Sequence, residues 1–157
     1  MTKLKTWHDN WNDAIRDILF PDAALKELML IPVANLNNIK MFIERYFIED
    51  VLPDELITDE NVRVLCYETE GAKFGNPNVL KKYLEFDIFV RNAVLYTATT
   101  DRLQRRDKLI FKRIRELLTG CSHVCNLRFQ YEDDYHLGTK TVGFRRYHAV
   151  FSYKQTI

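Results

Sequence analysis

Catalysis needs nucleophiles, acid–base groups or metal ligands held in register, and few places in this chain offer residue types that could provide them. Cys121-Ser-His-Val-Cys125 packs two thiols and an imidazole into a short segment, and His136 or His148 would complete the four ligands of a tetrahedral zinc site. Structural zinc sites show two paired ligand motifs, and here the second is missing, so ordinary cysteines at a helix–strand junction are the better reading. Glu85 and Asp87 share one face of a strand pattern, as paired metal-binding carboxylates would in a nuclease, with Lys81, Lys82 and Arg91 as neighbouring cations. Such a site needs further ligands at matching depth, and the simpler expectation is a solvated sheet face or one that meets a partner subunit. His8, His123, His136 and His148 fall on different elements, so no histidine-centred triad is proposed. No serine sits in a nucleophile elbow, and neither Gly71 nor Gly75 leads into the Gly-Lys-Ser or Gly-Lys-Thr of a phosphate-binding loop. The chain reads as an assembly or binding protein rather than an enzyme, with no catalytic residue, metal or cofactor.

The strongest chemical signal is charge. From Asp101 to Thr119 a helix is expected in which Arg102, Arg105, Arg106, Lys108, Lys112, Arg113 and Arg115 outnumber Asp101, Asp107 and Glu116, while Leu103, Ile110, Ile114 and Leu117 form the buried stripe. Thr99 or Thr100 would cap it, Asp101 suits its positive end, and Gly120 suits its stop. Such a face can track nucleic-acid phosphates, bind an acidic partner or simply be solvated. An acidic block precedes it: Glu44, Glu49, Asp50, Asp54, Glu55, Asp59 and Glu60 stand against Arg45 alone. Opposite charges on separate elements suit a head-to-tail contact between identical subunits, which closes into a ring when the rotation permits. Arg102, Arg105, Arg106, Lys112 and Arg113 would face Glu49, Asp50, Asp54 and Glu55 of a neighbour, unless the two regions neutralise each other within one subunit.

The elements that must position these groups can be read from periodicity. Trp7 to Phe20 repeats at helical spacing and Pro21 closes it. Asp22 opens a short helix to Met29 that Pro32 stops, and Asn35 or Asn37 caps a third, carrying Ile39, Phe42, Ile43, Tyr46 and Phe47, that ends before Pro53. The period then becomes two over Asn61 to Thr69 and Tyr83 to Arg91, where Leu84, Phe86, Ile88 and Val90 point one way and Tyr83, Glu85, Asp87 and Phe89 the other. Further strands are expected around Leu127 to Tyr131 and Tyr147 to Tyr153. Glu132 to Gly143 between them is too long for a two-residue turn, so an extended hairpin or a projecting loop is expected. The fold class expected is α+β: a four-stranded, mainly antiparallel sheet packed by one long helix, with a helical N-terminal third. Residues 1–57 would form the helical part and residues 58–157 the sheet and long helix of a single domain, 1–157.

Composition agrees with that size. The 157 residues are 46% hydrophobic, enough to bury one core. The 23 basic residues nearly cancel the 22 acidic ones, so a nucleic-acid contact would need a local patch. The N-terminal ten residues lack a secretory apolar run, no stretch is long enough to span a membrane, and three cysteines are an odd number. The expectation is a soluble protein with reduced thiols and no disulfide.

Asn61-Val-Arg-Val-Leu-Cys-Tyr-Glu-Thr-Glu-Gly71, Tyr83-Leu-Glu-Phe-Asp-Ile-Phe-Val90, Arg102-Leu-Gln-Arg-Arg through Ile114-Arg-Glu-Leu-Leu118, and Gly143-Phe-Arg-Arg-Tyr-His-Ala-Val-Phe151 resemble neck and tail-completion proteins of tailed bacteriophages, of the tail-terminator or head-closure type. The resemblance covers about Asn61 to Lys154. It implies a virion protein assembled in the host cytoplasm: a ring of identical subunits, usually six in tail terminators, that meets the tail tube protein and the head connector around a DNA passage. It carries over no catalytic residue. By analogy, the loop with Lys73 and Phe74 and the hairpin with Tyr135, His136 and Lys140 would be docking elements. The alternative is a nucleic-acid-binding module using the basic helix 101–119.

Overall fold

A computed structural model describes residues 15–49, 60–73, 79–99, 102–120 and 128–156. Their architecture is α+β. The chain passes from helical residues 15–19 (α1) to α2 (Ala23–Leu28), α3 (Ile39–Met41) and β1 (Phe47–Glu49), and then to β2 (Val62–Lys73) and β3 (Val79–Arg91). A small ribbon of β4 (Tyr96–Thr99) and β5 (Arg102–Arg105) precedes the long helix α4 (Arg106–Gly120), and β6 (Gln130–Leu137) and β7 (Phe144–Thr156) follow.

The expected four-stranded sheet is a mixed, five-stranded one in the order β1-β2-β3-β7-β6, and β4 pairs with β5 apart from it. The fifth strand comes from the part expected to be wholly helical. Asn38 caps α3 by accepting from the Met41 amide, and the helix widens at once into a π-helical turn over Phe42–Tyr46. Phe47 then leaves in extended conformation and pairs parallel to β2, Phe47 opposite Val64. The remaining pairings are antiparallel, and β3 with β7 is the longest, running from Val79 opposite Thr156 to Arg91 opposite Phe144.

One face of the sheet makes the main core. Val62, Val64, Cys66, Leu84, Phe86, Ile88, Val90, Ala149 and Phe151 are buried there with Ile110, Phe111, Ile114 and Leu118 of α4 and with Ile15, Leu19, Leu25 and Phe42 of the N-terminal part. The helix stripe is therefore 110, 111, 114, 118 with Leu117 packed at its margin, and it differs from the expected stripe at Leu103. Leu103 is 70% exposed. The reason is the start of the helix: Arg102 and Arg105 belong to β5, so α4 begins at Arg106 rather than Asp101, and no threonine caps it. Thr97 and Gln104 spend their backbone groups on the β4–β5 ladder instead.

Asp22 serves two elements at once. It caps α2 through the Leu25 amide at 2.8 Å and accepts both Nε and Nη2 of Arg113 from α4. At its other end α2 closes with Leu30 in the left-handed region, φ 57°, and the Ile31 amide reaching back to the Lys26 carbonyl before Pro32. The stretch expected as a loop or hairpin over 132–143 is strand as far as Leu137, then a turn in which Gly143 takes φ +83°.

Candidate functional site

The second face of the sheet holds the most concentrated chemistry, and the pairing of β3 with β7 creates it. Register sets Asp87 opposite His148 and Glu85 opposite Val150, while Leu65 of β2 lies opposite Asp87 on its other side. Opposed residues share a face, so Asp87, His148 and Leu65 point the same way, away from α4. Arg146 and Tyr67 lie two positions along their strands from these, again on this face.

Asp87 has no solvent exposure. Its Oδ1 accepts from Nε of Arg146 at 2.7 Å and faces Nδ1 of His148 at 2.8 Å, and its Oδ2 accepts from the Tyr67 hydroxyl at 2.8 Å. Nε2 of His148 faces Glu85 Oε1 at 3.0 Å, and Glu85 Oε2 accepts from the Thr69 hydroxyl at 2.6 Å. A carboxylate only accepts, so both ring nitrogens of His148 must donate, which requires the imidazolium. The electrostatics agree. Burial pushes the His148 pKa down, but the bonds and charges of Asp87 and Glu85 outweigh it and the value rises above the usual histidine range. Burial likewise pushes Asp87 up, and its bonds from His148, Arg146 and Tyr67 outweigh that and hold it below the usual carboxylate value. Tyr67 is pushed up by burial and by its bond to Asp87. Two carboxylates thus meet one guanidinium and one imidazolium, and the charge cancels.

That balance limits what the cluster can do. A general base needs a nitrogen free to take a proton, and His148 has both engaged. The expectation of a solvated face for Glu85 and Asp87 is corrected: Asp87 is buried, as are Leu65, Phe89 and Phe144 around it. Tyr135 covers the His148 ring at 5.2 Å between centroids while remaining 41% exposed itself. Among the described residues no group of three or more histidine, cysteine or acidic side chains is placed to hold a metal. Cys121, His123 and Cys125 lie outside the described residues.

A second polar group sits on the α4 side. A bulge between Tyr131 and Asp133 inserts one residue into β6 and turns Asp134 to the face of Tyr131 and Tyr147, whose hydroxyls both donate to it. The Tyr131 pKa is pushed up to about 12 by its bond to Asp134 and by burial.

The third group is basic. Arg102, Leu103, Gln104, Arg105, Lys108, Leu109 and Lys112 line a groove of about 390 Å³ between β5 and α4. Lys108 and Lys112 are exposed and make no ion pair among the described residues. Arg105 is held by Asp107 at 2.8 Å and reaches Nδ1 of His136 at 3.4 Å. His136 is pushed down by burial and by Arg105, with Lys108 and Arg145 adding to it against Asp107, so it sits neutral among cations from three elements.

The sequence-predicted interface residues are therefore divided. Arg105 is paired with Asp107 and Arg113 with Asp22 and Glu116, and Arg106 donates to the Val94 and Leu28 carbonyls. Glu49 pairs with Arg16 at 2.9 Å, and Glu60 of the same acidic block with Arg45 at 3.3 Å. Intramolecular neutralisation thus takes much of the charge expected to join subunits. Arg102, Lys112, Tyr135, His136 and Lys140 are on the surface. Lys73 lies in β2, its side chain outside the described residues, as are Asp50, Asp54, Glu55 and Phe74. Sequence reasoning misses His148, Arg146 and Tyr67 as partners of Asp87, and the available signal is the alternation of β3 against β7 once their register is known. No helix among the described residues is long and apolar enough to cross a membrane. Neither the scan against protein-family models nor the search of curated proteins matches this chain.

Proposed function

We propose that this chain is a structural protein of a bacteriophage particle, a ring-forming tail terminator or tail-completion protein that joins tail to head. The observation that supports it best is the placement of exposed apolar side chains. Val33, 86% exposed, stands before α3, and Val142, 93% exposed, stands in the turn between β6 and β7. Ile39 in α3 and Tyr135 in β6 are also exposed apolar side chains. Two unlike surfaces on one chain are what a heterologous contact needs, and such a contact closes into a ring when its rotation allows. The closed charge balance around Asp87 supports an architectural rather than catalytic use of the sheet. The resemblance of residues 61–154 to neck and tail-completion proteins supplies the particle.

The test is negative-stain electron microscopy of the purified protein at high concentration, with light scattering for mass. Rings with a central hole, lost on Val142→Glu or Val33→Glu while the circular dichroism spectrum stays the same, are expected. A monomer at every concentration, alone and with tail tubes added, would contradict the reading.

A further inference from the structure

The groove between β5 and α4 is cationic in an unusual way. Three of its lining residues, Arg102, Lys108 and Lys112, are exposed cations, and among the described residues no acidic side chain lines it. Asp107, beside Lys108 in the chain, is fully buried and occupied by Arg105 and the Lys108 amide. Lys108 and Lys112 sit one helical turn apart, a like-charge pair that destabilises an isolated helix. No described acid offsets it, although Glu116 of the same helix is spent on Arg113. The ribbon adds an aromatic. Tyr96 lies directly opposite Arg105 and hence on its face of the ribbon, and it is 58% exposed; Leu103, opposite Ala98, extends that face.

We propose that this groove binds single-stranded nucleic acid, with phosphodiesters along Lys108 and Lys112 and a base stacked on Tyr96. Point cations along a channel with an exposed aromatic beside it are the two parts of sequence-tolerant single-strand binding. The cations alone would suit an acidic peptide equally, and the exposed Tyr96 ring, on the ribbon face of the lining residues Arg105 and Leu103, is what favours a strand with bases. Such binding does not require ring assembly.

The experiment is fluorescence anisotropy of a labelled oligothymidylate with the full chain over a range of salt. Binding is expected to weaken as salt rises, and Lys108→Gln with Lys112→Gln should flatten the slope of log K against log salt by about 1.4, roughly 0.7 for each phosphate that is no longer neutralised. Tyr96→Ala should weaken binding by roughly fivefold or more with the slope kept, and Tyr96→Phe should restore it. A control with the same charge change elsewhere, Lys40→Gln with Lys154→Gln, should keep the wild-type slope. Absence of binding at low salt, an equal weakening in the control pair, or equal competition by polyglutamate would each overturn the proposal.

Discussion

The two faces of the β-sheet are built from alternate residues of the same strands and solve burial in opposite ways. On the α4 side, Leu84, Phe86, Ile88 and Val90 are removed from water by apolar neighbours, Phe86 meeting Phe151 edge-on at 5.7 Å. On the other, Asp87 is removed from water just as completely but only because Arg146, His148 and Tyr67 converge on it. An apolar face tolerates imperfect partners, since dispersion and transfer energies are summed over many atoms. A buried charge does not, because the loss of one partner leaves a desolvated ion.

The largest effect should come from the apolar side. Phe86→Ala is expected to cost about 4 kcal/mol in denaturant unfolding, since it removes a fully buried ring. Asp87→Ala should cost about 3 kcal/mol by stranding Arg146 and His148. A further variant combines Tyr67→Phe, Asp87→Leu, Arg146→Met and His148→Leu. That apolar replacement should recover most of the stability, because an ion cluster gains little over packed hydrocarbon. A combined variant no more stable than Asp87→Ala alone would break the account of the cluster. Asp22→Ala, which removes the α2 cap at a partly exposed site, should cost about 1 kcal/mol.

The smallest expected effect is a slope with pH. His148 lies above its ordinary value of 6.5 when folded, so its contribution is complete below that value and is lost as pH rises through the folded pKa. Asp87 lies below its ordinary 3.8, so its contribution is complete above that value and is lost as pH falls through the folded pKa. Stability from the cluster should therefore be greatest between these two ordinary values and decline on the alkaline side. His148→Gln should remove that alkaline decline in urea midpoints, and an unchanged slope would contradict the assignment.

The apolar face is legible in the sequence because its signal is local: Leu84, Phe86, Ile88 and Val90 declare their face by spacing alone. The class α+β and the body of α4 follow for the same reason. Asp87 reads as solvated in sequence because its charged partners Arg146 and His148 lie about sixty positions away on β7, and only strand register brings His148 opposite it. The start of α4 is hidden because Arg102 to Arg105 fit helix and strand alike, and pairing with Tyr96 to Thr99 decides the matter. β1 is hidden because Phe47 continues the helical stripe of Phe42, and the π-helical turn that releases it has no simple sequence signal. Sequence charge marks the basic region as a block. It cannot tell that Arg105, Arg106 and Arg113 are engaged within the subunit while Lys108 and Lys112 remain available.

On the polar face Asp87, Glu85, Arg146 and His148 form a closed charge cluster whose carboxylates hold His148 as the imidazolium. Nitrogen-15 NMR of the His148 ring at neutral pH tests it most directly. Two protonated ring nitrogens, both coupled to slowly exchanging hydrogens, are predicted. A neutral ring with one bare nitrogen would contradict the account and return Asp87, Glu85 and His148 to consideration as acid–base groups.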